Sequence, residues 1–301
     1  MNILMLGHSG VGKTTFMASM YGVLQEPVNG FGLHAKHSED HQRLLKLFKD
    51  ISRGRYPAGS NKRENYEFWL QYSGDNFFAF NWTDYRGDAL TESTRTSKHA
   101  QQLQDDLRST DGVLAFFDCT QLESRRGTFP EIRRMLMLLN SAMQEMDHPV
   151  PLALVLAKAD LVPEPDDELF DPLENLMETI RSSKHVIGTV IPVACGIENL
   201  NVEVPVLFVL HIGIRLEINH LIDQIKEMAA ERDRTYARVS TLWDWASDWV
   251  GSKLNGASTW GEIAERKHRA LLAQYEDLVS LEGPSDSLGS YLEEIVKLRT
   301  F

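Results

Sequence analysis

A lysine and a hydroxyl set behind spaced glycines can grip a chain of phosphates. Residues 7–14 read Gly7-His8-Ser9-Gly10-Val11-Gly12-Lys13-Thr14, matching G-x-x-x-x-G-K-[ST] at every fixed position. At Gly7, Gly10 and Gly12 the missing Cβ lets backbone N–H groups turn inward around phosphate oxygens. Lys13 would bridge the β- and γ-phosphates, and Thr14 would offer its hydroxyl to Mg²⁺. His8, Ser9, Val11 and Thr15 complete the loop, His8 as a spacer rather than a base. Two elements must hold this loop. Asn2-Ile3-Leu4-Met5-Leu6 is an apolar run readable as a buried strand, and Phe16 to Met20 continues as a helix. Strand, loop and helix in that order place phosphate at a helix N-terminus. The segment predicts a nucleoside triphosphate site.

Two further motifs have the matching chemistry. Asn81-Trp82-Thr83-Asp84-Tyr85-Arg86-Gly87 is a strand ending in D-x-x-G, where Asp84 would hold Mg²⁺ and the Gly87 amide would sense the γ-phosphate. Ala157-Lys158-Ala159-Asp160 ends a later apolar run, where a base-reading [NT]-K-x-D element belongs. Asp160 can accept from guanine's ring N–H and exocyclic amine, a pattern adenine does not offer. The Lys158 stem can lie along the purine face. Ala157 stands where an asparagine or threonine would tie the base loop to the phosphate loop. Ala194 and Cys195 follow the last strand as loose matches to a backbone contact with the base. Ser60, in Tyr56-Pro57-Ala58-Gly59-Ser60, is the candidate hydroxyl to close over Mg²⁺, because no threonine lies between Thr15 and Thr83.

The remaining chain reads as alternating strands and helices. Apolar runs at 66–72 and 76–82 form a hairpin around Ser73-Gly74-Asp75, and further runs follow at 111–117, 151–157 and 186–193. Helical periodicity covers 13–24, 97–108, 131–146 and 169–183. Ser38 caps another helix, with Leu44, Leu47, Phe48 and Ile51 on one face and Gly54 and Pro57 ending it. Pro27, Gly30 and Gly32 mark a loop. Pro205 opens a long helix with Leu207, Leu210, Ile214, Ile218, Leu221 and Ile225 in one stripe. The expected fold is α/β: a P-loop NTPase with a mainly parallel sheet and helices on both faces, plus a C-terminal helical extension. The expected division is a G domain over 1–236 and a helical extension over 237–301. In that extension Leu242, Trp245, Ala246, Trp249 and Val250 share a helical face, and turn signals stand at Asn255-Gly256 and Gly283-Pro284. It is expected to pack against the long helix and to offer part of its surface to another protein.

Composition narrows the partners. The chain has 301 residues, 43% of them hydrophobic, and a formal net charge of −12. The acidic balance argues against nucleic acid or anionic membrane as a general partner. Cys119 and Cys195 are the only cysteines, too few for a disulfide framework or zinc site, so a reducing, cytoplasmic setting is expected. With the phosphate-loop strand at the N-terminus no signal peptide is expected. Nor is a transmembrane segment, since no unbroken apolar run reaches about 18 residues.

The order of P-loop, Tyr-Pro-Ala-Gly-Ser, Asp-Tyr-Arg-Gly-Asp and Ala-Lys-Ala-Asp resembles the translation-factor-related (TRAFAC) GTPases over about residues 1–230. Within them the chain resembles the bacterial double-GTPase group, whose members show Pro-x-Gly-Thr and Asp-x-x-Gly-Glu switches. The resemblance implies a Ras-like sheet and a Mg²⁺-dependent GTP/GDP switch. It also implies a protein partner, a second GTPase or another copy, in a conflict or signalling gene cluster. Ser60, Asp88 and Ala157 depart from the group's pattern. Asp88 takes the place of the glutamine that orients water in Ras-like enzymes. A carboxylate there could order water but would repel the γ-phosphate, so slow intrinsic GTP hydrolysis is expected. Arg86 and Arg95 are candidate charge donors to the transferring phosphoryl group. The alternatives are a GTP-binding scaffold with little hydrolysis and an ATP-using P-loop enzyme.

Overall fold

The structure, a computed structural model, describes residues 1–58, 63–85, 98–124, 129–162, 167–239 and 260–295. Ser60, Arg86, Gly87, Asp88, Arg95 and the tryptophan-bearing stretch 242–250 lie outside the described residues.

Seven strands form one mainly parallel sheet: β1 (Asn2–Leu6), β2 (Phe31–Ala35), β3 (Glu64–Tyr72), β4 (Asp75–Asp84), β5 (Gly112–Asp118), β6 (Val150–Ala157) and β7 (Val186–Val193). Their order is β2-β3-β4-β1-β5-β6-β7. β3 alone runs against its neighbours, and every pair from β4 across to β7 is parallel. β5 and β6 are buried at every residue, as strands covered on both faces must be. β3 instead alternates, with Tyr66, Phe68 and Leu70 inward and Asn65 and Glu67 outward.

Helices cover both faces. On one, Phe16 of α1 (Lys13–Val23) stacks edge-on against Phe116 at 4.9 Å and lies 6.3 Å from Trp82. The Phe48 ring of α2 (Ser38–Ile51) sits flush on Gly22 of α1, where a Cβ would meet it at 2.1 Å. On the other face Leu4, Leu6, Val113, Phe117 and Leu154 pack with helical residues. Those come from α3 (Lys98–Arg108), α4 (Cys119–Ser124), α5 (Phe129–Glu145) and α6 (Glu174–Ser182). Val209 of α7 (Val204–Val239) closes on Gly112, whose hydrogen leaves room for it.

Two local expectations are corrected. Residues 31–35, expected within a loop, form edge strand β2, with Phe31, Leu33 and Ala35 buried. The alternation is present in the sequence, but Gly30 and Gly32 mask it, and pairing with β3 supplies what propensity lacks. Gly283-Pro284 is not a turn: both lie inside α8 (Trp260–Ile295). Burial of Leu278 and Leu281 before the proline, and of Leu288 and Tyr291 after it, sustains the helix there.

The chain groups into two compact units, Met1–Gly213 with Ser287–Phe301, and Ile214–Asp286. Within the first, Tyr72 Oη donates to Ser287 Oγ at 3.0 Å and Tyr291 Oη to Glu203 Oε1 at 3.1 Å. Within the second, α7 and α8 are joined by Gln274 Nε2 donating to Gln224 Oε1 at 2.8 Å and by Arg215 with Asp286 at 2.9 Å. α7 continues past the expected boundary at 236 to Val239. Its segment Val204–Glu231 is long and apolar enough to cross a bilayer, with mean hydropathy 1.4, yet half of that window is buried within the protein.

Candidate functional site

The C-terminal ends of β1, β4, β5, β6 and β7 meet along one rim of the sheet, the place where open α/β sheets bind ligands. The loop after β1 is built for close approach. Gly12 has φ 106°, a left-handed conformation, and α1 starts at the next residue. A Cβ on Gly7 would come within 2.9 Å of both Phe116 Cβ and Val11 Cγ1. Val11 is fully buried and pins the loop inward. His8 is buried too, its Nδ1 2.9 Å from the Ser9 carbonyl. Lys13 curls back over the loop, its Nζ donating to the Gly7 carbonyl at 2.6 Å and the His8 carbonyl at 3.5 Å. Above the loop lies a cavity of about 190 Å³, lined by His8, Gly10, Gly12, Lys13, Thr14 and Asp84 among others.

Asp84 ends β4 beside Met5 of β1. It is 3% exposed, and its Oδ1 has no hydrogen-bond partner among the described residues. Burial pushes its carboxyl up to about 7; Lys13 opposes the shift and Glu64, its cross-strand neighbour, adds to it. A buried carboxylate oxygen facing a polar cavity beside a threonine hydroxyl fits a divalent cation, which would supply the missing partner and favour the ionised form. Thr14 and Asp84 are the described residues that would hold Mg²⁺.

A second cavity, about 350 Å³, adjoins the first, and Gly12, Thr15, Tyr56 and Lys158 line both. Its walls are largely apolar, with Phe16, Phe116, Leu161 and Val193. Lys158 leaves β6 in a left-handed conformation, φ 60°, which swings the chain into the single turn Ala159–Leu161. That turn puts Asp160 at the mouth of the cavity, exposed. Cys195 lines the far side, its thiol pushed up to about 12 by burial. One cavity polar with a lysine, the next apolar with an acceptor at its mouth, suits a phosphorylated purine.

Among the residues expected from sequence, the structure brings His8, Ser9, Gly10, Gly12, Lys13, Thr14, Thr15 and Asp84 around the first cavity. Val11, Lys158, Asp160 and Cys195 come to the second. Gly7 and Ala194 line neither. Gly7 supports the loop from beneath, and Ala194 exchanges backbone hydrogen bonds with Leu200 at 3.1 and 2.9 Å. Several residues of the site were not among the sequence candidates, Tyr56 and Asp118 among them. Tyr56 stands between the two cavities although 59% exposed; its signal was an aromatic beside Pro57 in the stretch before Ser60. Asp118 lies beneath Lys158 and is 3% exposed; its signal was an acidic residue ending an otherwise apolar strand.

Residues 4–184, more than half of the chain, match the family model described as Double-GTPase 1. No curated protein matches the sequence. Among solved structures the chain is similar to a GTP-binding protein from the hyperthermophilic archaeon Sulfolobus solfataricus in complex with GDP. The identity is 14% and the TM-score 0.40, over 71% of this chain and 53% of that one. It thus spans about half of the archaeal protein's length. It is also similar to a chain of the signal recognition particle receptor SRb-GTP/SRX complex from Chaetomium thermophilum. There the identity is 14% and the TM-score 0.38, over 64% of this chain and 90% of that one.

Proposed function

The chain belongs to the Double-GTPase 1 family and is a GTP-binding protein; from that premise we propose that it is a Mg²⁺-dependent GTPase that signals its nucleotide state to a protein partner. One observation carries the reading. The polar cavity with Lys13 and Asp84, whose Oδ1 has no hydrogen-bond partner among the described residues, shares walls with an apolar cavity that has Asp160 at its mouth. A nucleotide lying along both would set its phosphates on the loop amides and its base between Lys158 and the aromatic wall. Lys13 would turn from the loop carbonyls to the β- and γ-phosphates. Asp160 would accept from guanine's N–H and amine. Mg²⁺, when bound, neutralises charge on the phosphate oxygens and holds them for in-line attack. Asp88 would order the attacking water, with Arg86 as the charge donor. The double-GTPase resemblance supports a second GTPase, or another copy of this chain, as partner.

A scaffold that holds GTP with little turnover is the second reading, favoured by an aspartate at position 88, where Ras-like enzymes carry the water-orienting glutamine. Titration with GTP and ATP, then turnover with Mg²⁺ and with EDTA, tests the proposal. At least tenfold preference for GTP and Mg²⁺-dependent phosphate release are expected. Equal affinity for the two nucleotides would sink the guanine assignment, and tight GTP binding without phosphate release would favour the scaffold.

A further inference from the structure

The base loop departs from its motif at Ala157, whose methyl group cannot hydrogen-bond. The loop is nevertheless tied down at the next residue. Lys158 Nζ donates to Asp118 Oδ2 at 2.5 Å. Asp118 ends β5 and stands in register with Ala157 of β6, so the tie crosses between the two strand ends from which the cavity opens. Its carboxylate is 3% exposed, whereas the lysine side chain is 37% exposed. The buried partner is the fixed one. Its other oxygen, Oδ1, accepts from Thr120 N at 3.0 Å and from Thr120 Oγ1 at 2.7 Å. These local bonds orient the carboxylate whether or not the lysine is present.

We propose that Asp118 is the positioning residue of the base site, doing through Lys158 what the missing amide at 157 would otherwise do. With its ammonium held at the end of β5, the four-carbon stem of Lys158 must run along the boundary of the two cavities, both of which it lines. A stem so fixed presents a preformed apolar edge to a purine face and loses little rotamer freedom when the base arrives. An untethered lysine would have to be ordered by each ligand. The tether acts on the base and not on the phosphates, because Lys13, Thr14 and Asp84 belong to other elements. The inference rests on the GTP-binding reading above.

The experiment measures affinity for GTP, GDP and inorganic tripolyphosphate in the full-length protein and in Asp118→Asn. That variant keeps an oxygen for Thr120 and removes the ion pair. GTP and GDP are expected to weaken about tenfold, with tripolyphosphate unchanged within about twofold. Lys158→Ala should give the same loss, and the double variant no more than either single one. Unchanged GTP affinity in Asp118→Asn overturns the proposal. So does an equal loss for tripolyphosphate, which would mark the ion pair as general support of the strand ends. If Asp118→Asn does not fold, Thr120→Val decides. It removes one of the bonds orienting the carboxylate, and it should weaken GTP about threefold while sparing tripolyphosphate; no change in GTP affinity again overturns the idea. An unmutated protein that binds tripolyphosphate as tightly as GTP would sink the base site itself, a result distinct from every variant outcome.

Discussion

Asp160 reads the base by accepting hydrogen bonds, so its removal should act on guanine alone. Losing a charge-assisted pair costs about 1.5–3 kcal/mol. Asp160→Ala should therefore weaken GTP roughly ten- to a hundredfold and leave ATP almost unchanged. Calorimetric titration of both nucleotides checks it, and a parallel loss for ATP would contradict the assignment. The two cysteines provide a separate test of burial. Desolvation pushes the thiols of Cys119 and Cys195 up to about 12, above the ordinary 9.0. Higher pH ionises a thiol, so at pH 8 each should hold about a thousandfold less thiolate than an exposed cysteine. Iodoacetamide should label both slowly in the native protein and rapidly in denaturant. Fast native labelling of Cys119, which is 2% exposed, would show that its surroundings are open to water, whereas Cys195 is half-buried in the cavity wall.

Among the elements, the ends of β3 and β4 each adjoin a stretch expected to touch the γ-phosphate. Arg63, just before β3, pairs with Asp106 of α3 at 2.6 Å, and Tyr85, just after β4, donates its hydroxyl to the same carboxylate. The Arg63 guanidinium also lies over the Tyr85 ring, 5.2 Å from its centroid. One carboxylate thus ties both strand ends to α3. Asp106→Ala would remove the acceptor for a part-buried hydroxyl and a guanidinium together. The expected cost is about 1–3 kcal/mol, read as a lower urea midpoint with an unchanged slope. Tyr85→Phe should cost less, because Arg63 and Asp106 remain paired. A midpoint shift below about 0.5 kcal/mol in Asp106→Ala would show that the strand ends are held by packing alone.

At the scale of the whole molecule, the last part of α8 belongs with the sheet. Leu288 is fully buried, Tyr291 is 4% exposed, and both tyrosine hydroxyl contacts, Tyr72 to Ser287 and Tyr291 to Glu203, lie within that unit. Ending the chain after Asp286 would strip this cover from the unit that carries the nucleotide site. Burial of a large apolar side chain is worth about 1.5–3 kcal/mol, so losing these two should lower the melting temperature on the order of 10 °C. An unchanged melting temperature would show the cover to be dispensable. Truncation after Arg234 tests the whole tail as a recognition element: a shortened chain that still binds GTP and loses only its partner would favour that role, and aggregation or lost GTP binding would mark the tail as core.

Local spacing alone determined the phosphate site, because Gly7, Gly10, Gly12 and Lys13 specify backbone shape and charge within a few residues of one another. The hairpin was equally legible. Ser73 and Gly74, at φ 52° and 95°, make the two-residue turn that joins β3 to β4, and the flanking alternation sets which faces are buried. Asp118 was missed, whereas Asp84 at its strand end and the Lys158–Asp160 stretch could be located by analogy of order. What they touch could not, since an ion pair between residues 118 and 158 exists only once β5 and β6 lie side by side in register. β2 was hidden for the same reason: its glycines argue against a strand until β3 offers its edge. The tertiary structure also decided that α8 runs through Pro284, because the burial that outweighs a missing backbone N–H comes from residues distant in sequence. Chemistry written in adjacent residues could be read directly, whereas contacts between distant residues depended on which strands and helices the hydrophobic core brought together.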